Sequence, residues 1–182
     1  RHIKIIGGVD MTKERKQEII STYRRDEKDT GSSEVQIALL TERIKEMDNL
    51  IDEYMKDYEK SKKKLEKMPG LGKRSAEIIL AEIGQDMTRF PTSGHICSWA
   101  GVCPGNNESA GKRRSGKTRK GNKILKSTLV ECAQSAVRRK DTFFYAQYQR
   151  IAMRRGKKRA TLSVAHSILI AIYYMIKEDK EK

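Results

Sequence analysis

One stretch of this sequence carries apolar residues at alternating intervals of three and four. Such heptad spacing places them on a single stripe of an α-helix, with charged residues on the remaining surface. At about 1.5 Å per residue the stripe is ~48 Å long, more than a small domain can cover. We therefore expect a long coiled-coil helix over residues 33–68 that forms a homodimer, with an amphipathic helix packed along its own domain as the alternative. The stripe consists of Ile37, Leu40, Ile44, Met47, Ile51, Tyr54, Tyr58, Ser61, Leu65 and Met68.

Helices are also predicted on both sides of this segment. Thr12 is a good cap for a helix that continues to Arg25, and Gly31 and Ser33 mark a turn and the next helix start. Only three prolines and 6% aromatic residues favour helix over sheet. The predicted fold is all-α: an unassigned lead (1–10), a helical hairpin (11–44), the long helix (33–68), a compact helical domain (69–178) and a tail (179–182). In the compact domain, helices are expected over residues 123–139, 142–155 and 156–178.

The positive charge is concentrated in one segment. Between Gly111 and Arg159 there are 17 Lys and Arg against only Glu131 and Asp141, and this segment accounts for the whole net charge of +15. Because apolar residues recur through it, the segment is not a simple basic tail. Charge confined in this way predicts a surface for phosphates, and DNA or RNA is the expected partner rather than an anionic membrane.

The string PGLGKRSAEIILAEIG has the pattern of a helix-hairpin-helix. Gly70 and Gly72 would expose backbone N–H groups at a helix N-terminus, where a phosphate oxygen is bound without sequence discrimination. Lys73 and Arg74 stand where a phosphate would need them. The alternative is a plain corner between two helices.

Few residues are arranged for catalysis or metal binding. Three cysteines without CxxC spacing and three scattered histidines predict neither a disulfide framework nor a metal site. His166 is expected to be a core histidine. Ser109 lies in a small-residue loop beside Lys112, Arg113 and Arg114, where a hydroxyl could approach a backbone phosphate while cations stabilise the charge of the transition state. No apolar run reaches the ~18 residues of a membrane span, and a reducing cytoplasm is the expected location.

Several motifs occur in the order found in one enzyme family: PGLGKRSAEIILAEIG, RFPTSGHICSWAGVCPGNNESAGKRRSGKTRKGNKILKSTLVECA, GKKRA and AHSILIAIYYMI. Over about residues 65–178 the chain resembles the C-terminal domain of the insertion-sequence "one-ten" transposase family. The resemblance implies that Ser109, or Ser115 as second choice, is the nucleophile that forms a 5′-phosphoserine link to DNA. It further implies DNA or guide-RNA contacts, which we assign to Lys112, Arg113, Arg114, Lys117, Arg119 and Lys120.

The resemblance also implies an N-terminal acidic domain, which we do not find in residues 1–64. Members of that family join an N-terminal RNase-H-like domain with four acidic metal ligands to a coiled coil and the C-terminal domain, and a structured bridge RNA selects the DNA. Residues 1–64 are too short for the acidic domain and lack its pattern. We therefore expect no cofactor on this chain, Mg²⁺ only together with the missing acidic domain, no transposition by the chain alone, and a recombined or truncated gene.

The string MTKERKQEIISTYRRDEKDTGSSEVQIALLTERI, residues 11–44, resembles the start of the small-subunit ribosomal protein S-fifteen family. The resemblance implies ribosomal RNA contacts at Thr30, Gly31, Gln36 and Arg43. A later His- and Arg-rich segment of that family has no counterpart here. A structural RNA-binding module is therefore the competing function.

Overall fold

A computed structural model describes residues 11–105 and 107–180, and its described side chains exclude those of residues 107, 108, 113, 114, 179 and 180. The predicted lead (1–10) and the last two residues of the tail lie outside this description. Between Asp57 and Tyr58 the chain divides into two compact units, which we call the N-terminal unit and the C-terminal unit.

The N-terminal unit contains two paired helices, α1 (Lys13–Tyr23) and α2 (Ser33–Tyr54), so the predicted helical hairpin is present. The Thr12 hydroxyl accepts a hydrogen bond from the Arg15 N–H, which confirms the predicted cap of α1. Ser32 caps α2, one residue before the cap that we predicted. The Arg15 guanidinium also lies 2.8 Å from the carboxylate of Glu42, which ties the two helices together.

The structure corrects the expectation of one helix over residues 33–68. Helix α2 ends at Tyr54, a 3₁₀ turn follows over Lys56–Tyr58, and α3 spans Glu59–Glu66. Helix α3 packs against two helices of the C-terminal unit, and Ser61 and Leu65 of the predicted stripe are buried there. Tertiary packing therefore removes the last part of the stripe from any coiled coil, because these side chains are already covered.

The C-terminal unit continues with five further helices: α4 (Lys73–Ile83), α5 (Ser93–Trp99), α6 (Lys123–Ala136), α7 (Phe143–Arg155) and α8 (Lys157–Lys180). Helix α8 packs against α3, α5, α6 and α7. It is long and apolar enough to cross a membrane by length and composition, with 44% of its most apolar window buried inside the protein. Its packing against four helices gives this apolar sequence a role in the core. Its buried apolar residues are Ala160, Val164, Ala165, Ile168, Leu169, Ile172, Tyr173 and Ile176.

The all-α fold class is confirmed, with one small addition. A two-stranded antiparallel hairpin, β1 (Asn107–Ser109) and β2 (Lys112–Ser115), lies where we predicted a small-residue loop around Ser109. Ala110 and Gly111 form its turn with φ of 49° and 72°. Two successive positive φ angles are typical of the tight turn that joins twisted strands, and a small residue followed by glycine suits it.

A glycine-rich contact fixes the loop between β2 and α6. A Cβ on Gly121 would lie 2.4 Å from the backbone nitrogen of Gly101, so both backbones approach closely only because side chains are absent. The Asn122 side chain accepts a hydrogen bond from the Leu125 N–H and caps α6, and its amide donates to Glu82 over 2.6 Å. The basic loop is thereby held against the helical body.

Candidate nucleic-acid interface

The predicted helix-hairpin-helix corresponds to the turn between α3 and α4. Gly70 has a φ of 88°, and a Cβ there would lie 2.4 Å from the Cys132 carbonyl oxygen and 2.6 Å from the Ala136 nitrogen. Gly72 precedes α4, and a Cβ on it would meet nothing within 4 Å. The two glycines therefore differ: Gly70 allows the turn to approach α6, whereas Gly72 lies at an open helix N-terminus.

The two cations after this turn lie around a buried carboxylate. Glu77 is only 4% exposed, and its oxygens lie 3.2 Å from the Arg74 guanidinium and 4.0 Å from Lys73 Nζ. Lys62, buried on α3, approaches the same carboxylate to 3.9 Å. The carboxylate of Glu77 therefore neutralises part of the charge of Lys73 and Arg74. Their contact with a phosphate stays a prediction.

Ser109 is exposed at the end of β1, where it pairs with Lys112 across the hairpin turn. This position presents its hydroxyl at the surface beside an exposed ammonium group. Arg113 and Arg114 belong to β2 by their backbone, and their side chains are outside the description. The hairpin thus brings Ser109 and Lys112 together, as the sequence predicted, in a strand pair rather than a flexible loop.

Ser115, the second candidate, lies in a different environment. Its hydroxyl accepts a hydrogen bond from the Lys117 N–H over 3.1 Å, and it lines a cleft of about 590 Å³ with Arg155, Arg159 and His166. Pro104, Val102 and Leu162 contribute apolar walls to this cleft. Lys117, Arg119 and Lys120 are exposed in the loop that follows.

A second cleft of about 680 Å³ adjoins the first, because Thr118 and Leu162 line both. Lys126 extends from α6 into this region and donates a hydrogen bond to the Thr118 hydroxyl over 2.9 Å. We call the two clefts together the basic groove. Its cationic residues are Lys126, Arg138, Arg155, Lys157, Lys158 and Arg159.

The described part of the basic groove carries positive charge only. Among the side chains that the structure describes, no aspartate or glutamate lines either cleft and none of the six cations forms a salt bridge. By contrast, a cleft of about 780 Å³ between α1 and α2 contains Glu18, Glu34 and Glu42 along with Arg15 and Lys45. Several unpaired cations around one groove create the potential that attracts a polyanion.

His166 departs from the expected core position. It is half-buried on α8 and lines the first cleft, and burial lowers the pKa of its imidazole. A neutral imidazole at neutral pH follows, since the charged form is disfavoured in a poorly solvated site.

Three of the four residues predicted to contact ribosomal RNA, Thr30, Gly31 and Gln36, lie at the start of α2, and Arg43 lies near its middle. Thr30 and Arg43 are exposed, and the Gln36 side-chain amide donates a hydrogen bond to the Gly31 carbonyl oxygen over 2.9 Å. Gln36 and Arg43 are seven residues apart and so share one face of α2. The turn before them is held by Asp29.

The carboxylate of Asp29 accepts hydrogen bonds from three backbone N–H groups, those of Arg25, Gly31 and Ser32, at 2.9–3.1 Å. These donors hold the pKa of Asp29 well below its usual range, because they stabilise the ionised form.

All six cations of the basic groove were missing from our predicted site, which was confined to the loop and the turn. The signal for them was the basic segment 111–159, which contains all six. Their convergence depends on α6, α7 and α8 packing together, and no local motif encodes it. The predicted loop cations border this groove through Thr118, but Ser109 is not among the residues that line it.

Two family models match the chain in the order of its two units. The model of ribosomal protein S15 matches residues 16–76, and that of the transposase IS116/IS110/IS902 family matches residues 62–149. The matches overlap over residues 62–76, which include most of α3 and the turn into α4. The overlap lies further along the chain than Ile44, the last residue of the string that resembles the ribosomal protein family.

Curated relatives resemble the N-terminal part. The small ribosomal subunit protein uS15 of Carboxydothermus hydrogenoformans is 52% identical over 60 residues, which are 33% of this chain and 66% of that protein. The uS15 protein of Dictyoglomus thermophilum is 54% identical over 48 residues, 26% of this chain and 54% of that protein.

The uS15 protein of Nostoc punctiforme is 45% identical over 76 residues, 42% of this chain and 80% of that protein. The chain thus spans between about half and four fifths of the length of these relatives. By its N-terminal residues the chain belongs to the ribosomal protein S15 family, and the segment that follows matches the transposase IS116/IS110/IS902 family.

Proposed function

We propose that the C-terminal unit binds DNA along the basic groove and acts as the DNA-handling part of a transposase. The observation that carries this proposal is a groove lined by six cations that, among the described side chains, have no salt-bridge partner and no carboxylate beside them. Phosphate backbones are the polyanions whose regular charge spacing suits such a groove, and Lys and Arg contacts with phosphates supply most of the affinity of this kind of binding. The transposase family match over residues 62–149 makes DNA the first choice, and a structured guide RNA would use the same contacts.

On the basis of the family resemblance, we propose that Ser109 is the nucleophile. Its hydroxyl is exposed at a hairpin turn beside Lys112, a geometry in which a backbone phosphate can approach it from solvent. Attack by its oxygen would form the phosphoserine bond and release a deoxyribose hydroxyl, which takes up a proton. Within the described residues no group of three or more His, Cys, Asp or Glu is placed to hold a metal ion. Carboxylates for Mg²⁺ would therefore come from another polypeptide domain.

DNA binding is tested by a salt-titrated affinity measurement with a labelled duplex. Replacing Lys157 and Lys158 by glutamine removes two groove cations, so the slope of log affinity against log salt concentration should fall by about two phosphate contacts, at ~0.9 each. The matched control is R150Q/R154Q, which removes two exposed α7 cations that line neither cleft. If both variants lost DNA affinity and salt slope equally, binding would depend on overall positive charge and not on the groove, contrary to the proposal.

A second function is favoured by the N-terminal unit. The curated relatives are small ribosomal subunit proteins, and residues 16–76 match their family. We propose that the hairpin binds ribosomal RNA through the exposed Thr30, Gly31 and Arg43, with Gln36 holding the turn. An RNA three-way junction is the suitable probe, and T30A/R43Q should weaken RNA binding while leaving DNA binding unchanged. K157Q/K158Q should do the reverse.

We also propose that α2 forms a homodimer, in keeping with a cytoplasmic protein that handles two DNA segments. Ile37, Leu40 and Ile44 are 64%, 59% and 53% exposed, which is unusual for apolar residues in a regular stripe. A second copy is the suitable partner because the spacing is that of a coiled-coil seam. Sedimentation should show a dimer for the full chain and a monomer for L40E, whereas N49E, an exposed change outside the stripe, should remain dimeric.

A further inference from the structure

We propose that Ser115, Arg155, Arg159 and His166 form a pocket for a single phosphate group of the bound nucleic acid, and that Ser109 is not part of it. The proposal rests on the proposed function, since it names one contact point within the basic groove. It assigns a binding role to three residues, Arg155, Arg159 and His166, for which the sequence analysis predicted none. The pocket is the first of the two clefts, of about 590 Å³.

The two arginines come together because α7 and α8 are joined by a single residue. Gly156 has a φ of 83° and follows Arg155 directly, while Arg159 lies in the first turn of α8. Cations at the first turn of a helix oppose its dipole, and a bound anion would remove this unfavourable interaction. No described carboxylate is paired with either guanidinium. Both arginines are exposed and line the cleft, so a ligand can reach them.

The hydroxyl of Ser115, at the end of β2, lines the same cleft. The Ser115 oxygen already accepts a hydrogen bond from the Lys117 N–H, so its own hydrogen remains available to donate. A phosphate oxygen is the acceptor that suits a hydroxyl placed among guanidinium groups, since charge-assisted hydrogen bonds are the stronger kind. Apolar walls from Val102, Pro104 and Leu162 reduce the local screening of these interactions.

His166, the fourth residue of the pocket, lies on the same face of α8 as Arg159. Arg159, Ser163 and His166 follow at intervals of four and three, which places them along one side of the helix. Ser163 accepts a hydrogen bond from the Gln147 amide over 3.2 Å, which connects this face to α7. The charged groups that share the cleft with His166 are Arg155 from α7 and Arg159 from α8, and Ser115 is the neutral donor from β2. A phosphate placed among them would favour the protonated imidazole.

The first test uses inorganic phosphate and the full chain. His166 is one of three histidines, so its ring signals can be assigned by NMR with the variant H166Q. At ionic strength matched with sodium chloride, phosphate should shift the His166 signals and raise the pKa of the imidazole, while His95 should not respond. R159Q should abolish this response, and R154Q, which lines neither cleft, should retain it. No response of His166, or an equal response in R159Q, would overturn the pocket.

The second test measures binding of a labelled DNA duplex. S115A removes a donor without changing charge, so affinity should fall about threefold to tenfold while the salt slope stays the same. R155Q should lower both the affinity and the slope, beyond the effect of R154Q. DNA binding that persists without the phosphate response or the S115A effect would reject the pocket and leave the proposed function standing. If the wild-type chain did not bind DNA at all, both the pocket and the proposed function would be rejected.

Discussion

Tyr173 donates a buried hydrogen bond to the backbone carbonyl oxygen of Phe90 over 3.0 Å, linking the centre of α8 to the segment before α5. The Tyr173 side chain is only 2% exposed, and the adjacent Tyr174, whose ring contacts it edge-on, is 49% exposed. This difference makes the two neighbouring tyrosines a matched pair for measuring the stability of the C-terminal unit.

Replacing Tyr173 by phenylalanine should lower the free energy of unfolding by about 1–2 kcal/mol, because the Phe90 carbonyl would lose its buried donor. Urea denaturation followed by circular dichroism measures this change. Y174F should alter stability by less than about 0.5 kcal/mol, as expected for an exposed hydroxyl. Equal effects of the two changes would mean that the hydrogen bond does not stabilise the fold.

Replacing Gly70 by alanine should destabilise the C-terminal unit by more than about 2 kcal/mol, because the new methyl group would overlap α6 and the residue requires a positive φ. The control is G72A, which should cost less than about 1 kcal/mol because space is open there. Thermal unfolding of both variants gives the comparison. A G70A protein as stable as the wild type would contradict the close approach of the turn to α6.

Lowering the pH should weaken the turn before α2 through Asp29. Because folding lowers the pKa of this carboxyl, its stabilising effect is fully present above the unfolded value of about 4 and is lost as pH falls through the lower folded value. Hydrogen exchange at the Gly31 and Ser32 amides should therefore accelerate in acid beyond the change in intrinsic rate. D29N should remove most of this pH dependence and D26N should preserve it. An unchanged profile in D29N would reject Asp29 as its origin.

We predict that the purified chain, given Mg²⁺ and duplex DNA, produces no strand-transfer product, because the family resemblance places the four acidic metal ligands in a separate RNase-H-like domain. Adding a resolvase-type acidic domain from a full-length transposase should restore the reaction if the Ser109 assignment is correct. S109A would then eliminate the covalent protein–DNA adduct on a denaturing gel, while S115A would only reduce it through weaker binding. Metal-dependent transfer by the chain alone, abolished in S109A, would contradict the prediction.

The sequence was informative wherever a long periodic segment formed its own element. Helices α6, α7 and α8 lie where they were predicted, because capping residues such as Asn122 and Thr142 and breaks such as Gly156 are local signals. The end of α2 at Tyr54 could not be predicted, since the heptad spacing continues through it. Leu65, on the same stripe, is buried within the C-terminal unit, and the heptad spacing does not encode this non-local packing.

The positive charge of the candidate site could be predicted from the sequence, but the positions of its cations in the fold could be predicted only in part. The basic segment 111–159 correctly indicated where the cations occur, yet the sequence gives no reason to bring Lys126 on α6 beside Lys158 on α8. His166 was misassigned for the same reason: a lone histidine in an apolar helix resembles a core residue until the neighbouring cleft is known. The β-hairpin was missed because its two strands are only three and four residues long.

The one-residue turn at Gly156 has a consequence for how the protein is handled. Arg154 and Arg155 end one helix and Lys157, Lys158 and Arg159 begin the next, so five like charges repel one another at a single corner. A ligand that binds only the folded chain stabilises it by RT ln(1 + L/Kd), which rises with the free ligand concentration L. Protein stripped of nucleic acid should accordingly melt at a lower temperature than protein that retains it. Adding heparin to the stripped protein should raise its melting temperature again.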